Sequence, residues 1–133
     1  MNALTAGIYS KLTAGTVLTA LLAGTASVYF NTAPDDVALP YVEFSYMSQI
    51  EENLTPSRMK NNLVYIRGYT KADSASAGNI ATQIDALFHG GEVTVTGWGN
   101  FWCAQESEVE GDEIETNGER IYNAGAVYRI RLG

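Results

Sequence analysis

A chain of 133 residues, 46% of them hydrophobic and 11% aromatic, is long enough to bury one core and too apolar to be a disordered tail. Its net charge of −7, with eight Lys and Arg residues scattered along the chain, argues against tight nucleic-acid binding, which needs a concentrated basic surface. The one cysteine, Cys103, excludes an internal disulfide and a cysteine-based zinc site and suits a reducing compartment.

In chain order, Leu4, Ile8 and Leu12, then Val17, Leu18, Leu21 and Leu22, recur at helical spacing. Gly15 is the weak point between two short helices and Gly24 the expected stop. The stretch "TVLTALLAGTAS" (16–27), preceded by Lys11, imitates a secretory leader. It carries a single charge before it and threonines within it, so it is read as part of the fold. No run approaches the 18 apolar residues of a membrane span, and no membrane partner is expected.

The stretch "VYFNTAPDDVALPYVEFSY" (28–46) follows, with a short strand at 28–30, a connector punctuated by Asn31, Pro34, Asp35, Asp36 and Pro40, and an alternating strand over 41–50. "NLTPSR" (53–58) turns the chain into a second alternating strand at 62–70. The clearest helix is "ADSASAGNIATQIDALFHGG" (72–91), with Ala77, Ile80, Ala81, Ile84, Leu87 and Phe88 on one face, Asp73 or Ser74 as cap, and Gly90–Gly91 as stop. Strands at 92–96, 98–110 and 119–132 complete the pattern. The predicted fold is α+β: a single domain over 1–133 with a mainly antiparallel sheet, helices packed on one face, and long projecting β-hairpins.

Residues able to do chemistry are sparse. His89, the one histidine, sits in a last helical turn, where imidazole is expected to bind a free carbonyl or favour the helix dipole. Cys103 lies in a strand without a nucleophile's signature and is read as a packed thiol. "GWGN" (97–100) lacks phosphate-loop spacing. No catalytic residue, cofactor site or metal site is therefore assigned.

The segment "ESEVEGDEIETNGE" (106–119) carries seven carboxylates and no base. Its glycine does not stand at the sixth position of a calcium loop, and its acids alternate as on a strand rather than converge on an ion. A solvated hairpin tip or a functional acidic surface are the two readings left. Trp98, Asn100, Trp102 and Ala104 begin one predicted face of the strand, and Glu106, Glu108 and Glu110 continue it. A compact chain of this length has a radius of gyration of roughly 14 Å, whereas a strand over 98–110 extends about 43 Å, so it is expected to leave the core. Exposed strand edges of this kind are stable mainly when neighbouring subunits cover them.

The order of elements resembles the tail terminator, or tail completion, proteins of long-tailed bacteriophages. The resemblance rests on "IYSKLTAG…LLAG", the 28–46 stretch with its "LPYV" (39–42), the helix "ASAGNIATQIDALFHG" and strands ending in "VYRIRLG". It implies a structural virion protein rather than an enzyme, assembled in the host cytoplasm and placed at the head-proximal end of the tail. It further implies a homo-hexameric ring that caps the tail tube protein, stops polymerisation and meets a head-tail connector or neck protein, with DNA passing through unbound. Glu106, Glu108, Glu110, Asp112, Glu113 and Glu115 are then expected to line or border the channel. The rival readings are another connector or tail-tube subunit, or a small-molecule-binding α+β domain using Trp98, Trp102, Tyr65 and Tyr69. A monomer pocket with convergent polar groups would favour the last.

Overall fold

The computed structural model describes residues 2–34, 37–52, 58–114 and 118–133. Its elements in order are α1 (Asn2–Ala14), α2 (Thr16–Thr19), β1 (Val28–Phe30), β2 (Tyr41–Glu51), β3 (Lys60–Thr70), α3 (Ser74–Phe88), β4 (Asn100–Ile114) and β5 (Arg120–Leu132). The strands form one sheet in the order β1-β2-β3-β5-β4, antiparallel except for the parallel β1–β2 pair. This is the α+β arrangement that the sequence predicts.

Period-two alternation decides which face the helices cover. Val42 and Phe44 of β2, Val64 and Ile66 of β3, and Ala126, Tyr128, Ile130 and Leu132 of β5 all turn to one side, where they share a core with Leu4, Ile8 and Leu12 of α1 and Ile80, Ile84 and Phe88 of α3. Leu18 and Leu22, from the leader-like stretch, belong to the same core. Helix α3 begins where Asp73 accepts the Ser76 N–H at 2.7 Å and ends before Gly90, whose φ of 72° reverses the chain. The break between α1 and α2 falls at the extended Gly15, but α2 ends at Thr19, short of the expected Gly24.

The connector of the 28–46 stretch carries the chain from β1 back to the start of β2, so that the two strands run parallel. Asn31 takes the left-handed conformation (φ 66°) at the point of exit, and the Leu39–Pro40 bond is cis. The predicted strand at 92–96 is not a strand. Val93 and Val95 do alternate into the core, but the Val93 N–H goes to the Asn100 side chain at 2.8 Å and the segment makes a single bridge, Val95 to Trp98. The β4–β5 hairpin runs past the sheet: β3 pairs with β5 as far as Thr70 and Tyr122, while Ile121 and Arg120 pair only with Glu113 and Ile114.

Candidate functional site

Strand β4 closes one edge of the sheet, and two irregularities in its pairing with β5 decide where its side chains go. Register slips between Asn100 and Trp102 and again between Gln105 and Ser107. Each slip inserts one residue and so reverses the faces of everything beyond it. Cys103 and Gln105 lie opposite Ile130 and Tyr128 on the helix side; Ala104 lies opposite Arg129 on the helix-free side. Beyond the second slip, Glu108 and Glu110 stand opposite Ala126 and Ala124, on the helix side.

The predicted single acidic face is therefore divided. Glu106, at the slip, accepts a hydrogen bond from Nε of Arg129 on the helix-free side. Glu108 and Glu110 border a shallow 120 Å³ cleft against α3 with Gly78, Thr82 and Asp85. Asp112 and Glu113 are placed by register alone, opposite Tyr122 and Ile121, and Glu115 lies outside the described residues.

The outer edge of β4 is covered over part of its length. Gly90 N–H donates to the Cys103 carbonyl at 2.7 Å, and Gln105 N–H donates to Nδ1 of His89 at 3.1 Å. His89 Nδ1 thus accepts from a strand amide, where the sequence reading expects the imidazole to bind a free carbonyl or favour the helix dipole. Past Gln105, no backbone group among the described residues meets this edge. Cys103 is buried, and burial pushes its thiol up to about 12, which keeps it protonated and inert. Tyr128 donates to Asp85 at 3.1 Å; burial first, and the negative Asp85 next, push its phenol up as well.

The helix-free face carries two polar systems that the sequence pattern hides. At one end, Glu106, Arg129, Asn61, Glu52 and Arg131 form a continuous chain across the strands. Arg129 donates to Asn61 at 2.7 Å and Asn61 donates to Glu52 at 2.6 Å. The Asn61 amide first, and Arg131 after it, lower the Glu52 pKa below the usual carboxylate value. In the middle of the face, Tyr29, Tyr41 and Tyr69 adjoin one another, and Arg67 lies between Tyr69 and Tyr65. Tyr65 and Tyr69 were visible in the sequence as strand aromatics. What was missed is that Tyr41, Tyr65, Arg67 and Tyr69 alternate in register on two adjacent strands and so meet.

Clefts at these surfaces are small and open, with 330 Å³ beside Ser74, Glu110, Arg120 and Tyr122 and 210 Å³ over Arg67. No group of three or more His, Cys, Asp or Glu side chains that could hold a metal occurs among the described residues. Among those residues, too, no helix is long and apolar enough to cross a membrane.

A chain from the virion of a native gene transfer agent particle has a similar fold, with a TM-score of 0.78 over 98% of this chain and 95% of that one at 20% identity. A search of curated proteins finds no match. The family profile described as tail completion protein gp17 matches residues 6–130, nearly the whole length. The chain accordingly belongs to the tail completion protein gp17 family, and it is a structural protein of a phage-like tail.

Proposed function

We propose that this chain is the tail terminator subunit of its particle: a homo-hexameric ring, seated on the head-proximal end of the tail tube, that stops polymerisation and joins the tail to the head connector. The observation that carries the reading is the outer edge of β4, a 15-residue strand whose backbone is covered at Cys103–Gln105 and meets no other backbone group beyond Gln105 among the described residues. An open edge of that length is a liability in a lone chain and an asset in a ring, where each copy is bounded by the next. The family membership and the inert Cys103 agree with a part that assembles rather than reacts.

The division of the carboxylates refines how they serve such a ring. If the β4–β5 hairpin stands edge-on to the axis, Glu106 on one side of the strand and Glu108 and Glu110 on the other all flank the hole. Asp112, Glu113 and Glu115 continue the segment toward the tip. Each copy then adds negative charge to a channel through which phosphate must slide without sticking. Native mass measurement of this protein on isolated tails tests the ring. Six copies per tail are expected, and one isolated copy per tail overturns it.

A further inference from the structure

Arg67 makes no ion pair among the described residues. Arg58, Lys60, Lys71, Arg129 and Arg131 each reach an acidic side chain. Glu43 lies directly across from Arg67 in register, but its Oε2 is engaged by the Ala33 N–H at 3.1 Å and it makes no ion pair with the guanidinium. Arg67 instead lies over aromatic rings, 4.2 Å from the centroid of Tyr65 and 5.8 Å from that of Tyr69, and it donates to both phenol oxygens. Its Nε–H is buried and has no hydrogen-bond partner among the described residues. Above it opens the 210 Å³ cleft lined by Glu43, Ser45, Tyr65, Arg67 and Tyr69.

A guanidinium positioned by two phenols, without an ion pair among the described residues and lining an open cleft, is a preorganised receptor for a carboxylate. We infer that the Arg67–tyrosine cluster on the helix-free face is the docking site for a carboxylate from the helix side of a second copy of this chain. The inference rests on the ring reading above.

Charge selects that occupant. Helix α3 and its cap carry Asp73 and Asp85 and no Lys or Arg; the cations on that side lie elsewhere, Lys11 on α1 against Phe88 and Arg120 beside Glu110. A heterologous contact, which closed rings of this type require, joins two different faces of the same subunit. Setting the helix side of one copy on the helix-free side of the next brings the α3 carboxylates to Arg67, which makes no ion pair among the described residues. A nucleic-acid strand is disfavoured, because the one cation lining this cleft offers no track for successive phosphates.

The test places a photo-crosslinker, p-benzoylphenylalanine, at Ser45 on the cleft wall and irradiates complete tails. The expected product is a dimer of this chain, with the linked peptide drawn from α3 of the second copy. Linkage to a different protein, or no linkage between chains, overturns the docking site. Copy number from native mass is read on the same tails. A single copy per tail would mean that the ring itself had failed, whereas several copies with a wrong crosslink refute only this face. As a second measurement, Arg67→Ala is expected to cut the yield of complete tails at least tenfold with an unchanged melting temperature. Arg67→Lys is expected not to restore it, since an ammonium lacks the planar fork that reaches both phenols and a carboxylate at once. Normal tail yield from folded Arg67→Ala protein also overturns the proposal.

Discussion

Ile84 shows how far a single position can be read from sequence. Its spacing from Ile80 and Phe88 predicts the buried stripe of α3, and all three are buried against the sheet. Leu87, predicted on the same stripe, lies at its margin and is partly buried. Replacing Ile84 with Ala removes buried methyls and leaves a cavity, so unfolding by denaturant should show a loss of about 2–5 kcal/mol. A loss near zero would place the core face elsewhere. Cys103 makes a second prediction at this scale. Its buried thiol, pushed up to about 12, should react with an alkylating reagent at pH 8 only as fast as the chain opens, and promptly once denatured. Prompt labelling of the native protein would contradict its burial.

At the scale of elements, the legible features are those fixed by local chemistry. The cap at Asp73, the α3 stripe and the alternation of β2, β3 and β5 all follow from neighbours a few residues apart. The two slips in β4 were not legible, because a bulge is a property of the pair of strands and leaves no mark in the alternation of one. That is why Glu106, Glu108 and Glu110 read as one face and prove to be two. The segment 92–96 failed for a related reason: Val93 and Val95 alternate as in a strand, yet the partner of Val93 is a side chain. Close approach of α3 to the sheet is equally hidden. A Cβ on Gly68 would stand 2.2 Å from Cγ2 of Ile80, so this glycine of β3 sets the depth at which α3 lies. Gly68→Ala should destabilise by about 1–3 kcal/mol through overpacking. Trimming Ile80 to Val in the same chain should return part of the loss in a double-mutant cycle, and strict additivity of the two changes would show that they do not meet.

For the whole molecule, what remains is the relation between its charge and its edges. The basic residues are largely spent within the chain, Arg129 on Glu106, Arg131 on Glu52, and Arg58 and Lys60 on Glu51, so the surplus of acid collects on β4 and its hairpin. Concentrating such a segment around a hole costs self-repulsion, which is tolerable only where water and counterions reach the carboxylates. Glu106 is already matched by Arg129, so on the proposed ring the charges left to act on passing DNA would be those of Glu108 and Glu110 and the segment beyond them. Changing Glu108 and Glu110 to Lys should therefore slow or stop DNA passage through otherwise complete tails, because phosphate would bind the wall by releasing counterions. The block should weaken steeply as salt is raised, and the matching Gln pair should pass DNA freely, since it removes the repulsion without adding an anchor. Adding Glu106→Lys tests something different: it breaks the pair with Arg129 and sets two cations side by side, so it should cost stability as well as passage. Unimpeded passage through complete tails carrying Lys at 108 and 110 would remove these acids from the channel wall.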